Sequence, residues 1–102
     1  MKKLLTDLES KLERDCCKIA LKEYGVSNIK LQKAKGYPDR MFMKDGRIKL
    51  IEFKRPDDEP GKWKPSKFQA LIHKELLENG FIVAVIDNEN DFRKEMRLWL
   101  KR

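Results

Sequence analysis

The chain has 102 residues, 40% of them hydrophobic and another 40% charged. That length carries one compact domain, residues 1–102, and excludes two, while the regular apolar spacing described below excludes a disordered chain. Lysine and arginine number 24 against 17 acidic residues, a formal net charge of +7 that favours polyanionic partners, nucleic acid first and a membrane surface next, although a basic balance also serves plain solubility.

Residues 3 to 24 read as one amphipathic helix. Leu5, Leu8, Leu12, Cys16, Ile19 and Ala20 recur at helical spacing, and Gly25 is a natural stop. The first residues turn polar at Thr6, so they carry no signal-peptide core, and no apolar run approaches a membrane span. Cys16 and Cys17 are adjacent, too close for a relaxed disulfide and no zinc pattern. Reduced cysteines and a cytoplasmic protein with no membrane partner are the expectation.

Val26 to Leu31 reads as a short strand, and Lys33 to Tyr37 as a basic, glycine-containing loop. Pro38 makes its neighbourhood extended, so Asp39 opens a strand that continues through Met41 to Met43. Asp45-Gly46 between two apolar runs is a hairpin signal, with Arg47 to Lys54 as the return strand. Arg55 to Pro65 holds three prolines and reads as a loop. Ser66 caps a helix that runs to Glu78 and is closed by Asn79-Gly80, with Phe68, Leu71, Ile72, Leu76 and Leu77 as its buried stripe. Phe81 to Ile86 reads as a strand buried on both faces. Asp87 to Asp91 reads as a turn, and Phe92 to Leu100 as a last helix with Phe92, Met96 and Trp99 on one side. The fold class is α/β, a sheet with helices packed against it.

Chemistry concentrates around the hairpin. Glu52 and Lys54 lie two apart on one strand, hence on one face, with Ile51 and Phe53 on the other. Asp39 and Glu52 lie at similar distances from the turn, so pairing can bring them together. Two carboxylates at one point bind a hard cation such as Mg²⁺, which polarises a phosphoryl oxygen and acidifies a bound water. A nearby ammonium orients that water or neutralises growing charge. The bland alternative is a cross-strand salt-bridged pair, but the Leu50-Ile51 flank marks a buried strand, where a lone charge needs partners or a metal.

Gly36-Tyr37-Pro38-Asp39-Arg40, then Lys49-Leu50-Ile51-Glu52-Phe53-Lys54, then Ser66 with Gln69 resemble the VRR-NUC family of the PD-(D/E)XK nucleases, in its stand-alone phage or bacterial form. The resemblance runs from about Leu12 to Ile86, and its motifs fall in order. It implies a restriction-endonuclease-like core: a mixed β-sheet with a central hairpin flanked by helices. It implies a DNA endonuclease dependent on Mg²⁺ or Mn²⁺, with no small-molecule cofactor. Asp39, Glu52 and the backbone carbonyl of Phe53 would hold the metal. Lys54 would be the lysine of the superfamily name, and Gln69 would face the site from the following helix. The family also carries a glutamate on its first helix. Glu9 and Glu13 are both candidates, and the run Leu12, Glu13, Cys16, Cys17, Ala20 fits the family pattern best at Glu13. The family is similar in plan to archaeal Holliday junction resolvases, so a homodimer acting on branched DNA is implied by analogy. Phe92, Met96 and Trp99 are a candidate dimer surface, with core packing as the equal alternative.

Lys33, Lys35, Arg40, Arg55, Lys62, Lys64 and Lys67 cluster in sequence around this site, as phosphate contacts would, with simple solvation as the alternative. Tyr37 and Trp63 can stack on bases, although Trp63 can equally pack under its own loop. His73, the only histidine, reads as a partly exposed helix residue rather than a general base. Two other functions compete with the nuclease reading: a non-catalytic basic DNA-binding module of the same fold, and a small assembly protein whose charges only solubilise it.

Overall fold

The computed structural model describes residues 5–31, 36–54 and 65–101. Among them the order is α1 (Leu5–Tyr24), β1 (Ser27–Lys30), β2 (Arg40–Lys44), β3 (Arg47–Phe53), α2 (Lys67–Glu78), β4 (Val83–Ile86) and α3 (Glu89–Leu100). The sheet runs β1-β2-β3-β4. Its first three strands are antiparallel neighbours, and β4 lies parallel to β3 after the α2 crossover. This is an α/β fold, a mixed sheet with a central hairpin flanked by helices, as the sequence predicts.

The hairpin is set by its turn. Asp45 and Gly46 have φ of 52° and 77°, the left-handed pair that matches the twist of the flanking strands. Lys44 therefore pairs with Arg47, and the register runs on to Arg40 opposite Ile51. Extended by one residue, it sets Asp39 level with Glu52.

One face of the sheet builds the core. Phe42, Ile51, Phe53 and Ile86 pack against Leu12, Cys16, Ile19 and Ala20 of α1 and against Phe92, Met96 and Trp99 of α3. The rings of Phe42, Phe53 and Phe92 form a tilted cluster with centroids 5.5 to 6.5 Å apart. Phe92, Met96 and Trp99 are thus core residues and supply no dimer surface. Leu8 is half-buried, and the side chain of Leu5 and residues 3 and 4 lie outside the described part.

Three expectations need correction. The predicted stripe of α2 is not buried: Phe68, Leu71 and Leu77 are exposed, Leu71 to 65%, and Ile72 and Leu76 are only half-buried. The helix is rotated so that Gln69, Ile72, His73 and Leu76, at the i, i+3, i+4, i+7 spacing of one helix face, point inward. An inward glutamine displaces part of the apolar stripe toward water. Second, β4 is not covered on both faces. It is the last strand in the sheet, with Val85 exposed and only Ile86 buried, and Phe81 and Ile82 precede it in the open. Third, α3 begins at Glu89, inside the predicted turn, because Asn88 caps it by accepting from the backbone N–H of Asp91 at 2.8 Å. The predicted loop from Arg55 to Pro65 lies almost wholly outside the described residues. Among the described residues, no helix is long and apolar enough to cross a membrane.

This packing predicts contrasting costs for two apolar truncations. Phe92→Ala should destabilise the domain by about 3–5 kcal/mol in urea unfolding, because it hollows the aromatic cluster. Leu71→Ala should change stability by no more than about 0.5 kcal/mol. A comparable loss in both would show that the outer side of α2 is covered in solution.

Candidate active site

Alternation along β3 sends Ile51 and Phe53 into the core, which turns Glu52 to the opposite face, toward α2. There Glu52 is only 5% exposed. Its Oε2 lies 3.3 Å from Lys54 Nζ and accepts a hydrogen bond from Gln69 Nε2 at 3.2 Å. Gln69 uses the other end of the same amide at its own helix start. Its Oε1 accepts from Ser66 N at 3.1 Å, while Ser66 Oγ accepts from Gln69 N, also at 3.1 Å. This reciprocal cap fixes where α2 begins, and the same glutamine ties that beginning to Glu52. The second carboxylate oxygen, Glu52 Oε1, is buried with no hydrogen-bond partner among the described residues.

Asp39 reaches this place from β2. Its Oδ2 accepts from the backbone N–H of Phe53 at 2.7 Å, and its own carbonyl accepts from Leu31 N at 3.0 Å. Pro38 before it is fully buried. Gly36 sets the approach: with φ at 84°, a Cβ there would sit 2.4 Å from Phe68 Cδ1. A side chain there would strain the backbone and push the Phe68 ring aside.

The electrostatics are those of charge kept from water. The Glu52 carboxyl is pushed up to about 7, first by burial and then by the charge of Asp39, against the lowering effect of Lys54. Glu9 adds to the rise. The Asp39 carboxyl is also raised, chiefly by burial, with the Phe53 N–H opposing. His73, half-buried on the inward side of α2, is lowered by burial and then by the Lys54 charge.

The structure therefore brings Asp39, Glu52, Lys54 and Gln69 together. Glu13, on α1, has charged partners of its own. That side chain is buried and engaged by Lys30 and Arg40. Its charge acts on Asp39, whereas that of Glu9 acts on Glu52. Arg40, expected to contact phosphate, points at Glu13 and Asn28. Tyr37 and Lys67 are exposed beside the site. Lys33, Lys35, Arg55, Lys62, Trp63 and Lys64 lie outside the described residues. Sequence reading missed the two-ended use of Gln69, although Ser66-x-x-Gln69 signals the cap, and it missed the close packing at Gly36.

Among the described residues, no group of three or more histidine, cysteine, aspartate or glutamate side chains is placed to hold a metal. Two carboxylates suffice for Mg²⁺ or Mn²⁺, because such ions keep several waters and take further oxygens from phosphate. An orphaned, buried carboxylate oxygen beside a second acid is the donor set such an ion needs, so the residues present fit it. No protein-family model matches this chain, and no curated protein matches it.

Glu52 makes the stability of the fold depend on pH. Its pKa is raised from 4.5 to about 7 on folding, so its ionisation costs stability as pH rises from 4.5 through 7, and the cost is complete above that. In metal-free buffer, Glu52→Gln should be more stable than the native chain at pH 8, by about 1–3 kcal/mol. The gap should close below pH 4.5. Thermal melts at the two pH values measure it, and equal stability at pH 8 would contradict the buried charge.

Proposed function

We propose that this chain is a metal-dependent DNA endonuclease, cleaving phosphodiester bonds at the site formed by Asp39, Glu52 and Lys54. The observation that carries the reading is Glu52: a buried carboxylate with one oxygen unpartnered among the described residues, its pKa raised by burial and then by a neighbouring acid, and touched by a lysine. Most buried side-chain oxygens in folded proteins are satisfied. One left wanting is poised for a ligand.

Asp39, Glu52 and the carbonyl of Phe53 would hold Mg²⁺ or Mn²⁺. Such an ion would supply Lewis acidity and lower the pKa of a bound water, easing its deprotonation. The chain's own groups do the rest. Lys54, oriented by Glu52, sets its ammonium where phosphate charge grows and can hold the attacking water by hydrogen bond. Gln69 fixes the rotamer of Glu52 through Oε2. Phe53 N–H does the same for Asp39, so the two acids come from separate strands already oriented. The net charge of +7 draws the polyanion in, and Lys67 and Tyr37 offer a phosphate contact and a stacking surface at the rim.

Branched DNA, a cytoplasmic setting and a homodimer complete the reading, since two cuts across a four-way junction require two sites. Light scattering on the purified chain tests the dimer.

The decisive assay digests a four-way junction, a flap and plain duplex DNA with Mg²⁺ or Mn²⁺. Lys54→Ala and Asp39→Ala should each lower cleavage by about a hundredfold or more, and chelation should abolish it. Binding should survive both substitutions and weaken steeply with salt. Equal cleavage by the native chain and Lys54→Ala removes this mechanism. Salt-sensitive binding without cleavage by any form leaves the non-catalytic DNA-binding module.

A further inference from the structure

We propose that Glu13 and Arg40 form a positioning clamp, in which the α1 carboxylate holds Arg40 and thereby fixes Asp39 against the end of β3. This rests on the reading of Asp39 and Glu52 as the cation site, and it assigns Glu13 to neither metal nor substrate.

Glu13 is 7% exposed on the sheet-facing side of α1. A carboxylate so far from water must be charge-paired. Its Oε2 accepts from Arg40 Nε at 2.6 Å and from Lys30 Nζ at 3.0 Å. Arg40 is the more enclosed partner, with 21% of its side chain exposed against 46% for Lys30. The guanidinium has a further hold: its Nη1 donates to Asn28 Oδ1 at 2.9 Å, an oxygen that also accepts from Cys17 Sγ at 3.5 Å. One charged knot thus ties α1, β1 and β2 together.

Its position in the chain matters most. Arg40 is the first residue of β2, pairs with Lys30 on one side and Ile51 on the other, and immediately follows Asp39. Asp39 is then held three ways: through Arg40 by Glu13, through its carbonyl by Leu31, and through its carboxylate by Phe53 N–H. Asp39 and Glu52 arrive on different strands, so their separation depends on where β2 starts. The clamp fixes that start. With Arg40 and Lys30 both on Glu13 Oε2, a divalent cation seeking that oxygen would meet two positive charges. The guanidinium, equally occupied, is withdrawn from phosphate.

The test is a double-mutant cycle on the full chain with Glu13→Gln and Arg40→Met. Two quantities are read well below the melting temperature: Mn²⁺ affinity, and hydrogen exchange at the Phe53 amide, which reports Asp39 with no metal present. Each single variant should weaken Mn²⁺ binding by about tenfold and speed Phe53 exchange by roughly tenfold. The double variant should be no worse than the weaker single, because the two residues act as one unit. Should Glu13→Gln unfold, Glu13→Asp, which keeps the charge one methylene short, replaces it.

Additive losses of Mn²⁺ affinity, or loss in the Glu13 variant alone, would overturn the clamp and make Glu13 a ligand. Unchanged Phe53 exchange in both singles would overturn it as well. If the native chain binds no Mn²⁺ while Phe53 exchange responds as expected, the clamp stands and the cation reading falls.

Discussion

The burial of Glu52 is the constraint to which the rest of the molecule answers. A carboxylate on a sheet face, shut off from water, raises its own free energy unless it is neutralised or paired. Lys54 and Gln69 share one of its oxygens, and Asp39 stands close enough to make matters worse. Among the described residues the other Glu52 oxygen has no hydrogen-bond partner. In a marginally stable domain such a cost must be met elsewhere. The large aromatic core beneath β3, on the opposite face, offsets it.

The hairpin converts this constraint into geometry. A two-residue turn with both residues left-handed admits one register. Slipping by a residue would move Ile51 and Phe53 off the aromatic core onto the acid-bearing face and turn Glu52 into the core. Apolar burial on one face therefore enforces the arrangement of the acids on the other, and folding and site assembly are one event.

Much of this was legible in the sequence, and the reasons for the exceptions are physical. The turn at Asp45-Gly46, the alternation through Glu52 and Lys54 and the cap at Ser66 are local signals, each confined to a few residues. The rotation of α2 was not legible. Its apolar residues Phe68, Leu71, Ile72, Leu76 and Leu77 span too wide an arc to point in one direction, and the choice was made by Gln69 reaching Glu52. The openness of β4 was hidden because a run of Phe81 to Ile86 looks the same at the edge of a sheet as at its centre. The pairing of Glu13 with Arg40 crosses 27 positions, and such a contact leaves no period to read. Taken alone, the sequence marks Glu13 as a candidate site acid and Arg40 as a candidate phosphate contact.

Gln69 leaves evolution little room. Its carboxamide offers an acceptor to Ser66 and a donor to Glu52, and no other side chain presents both groups at that reach. Glutamate would keep the bond to Ser66 but turn a third negative charge on Glu52. Asparagine is a methylene short, and lysine would lose the acceptor. Drift at this position is therefore judged twice, by the integrity of a helix end and by the posture of an acid. A sequence could not relax one requirement without betraying the other.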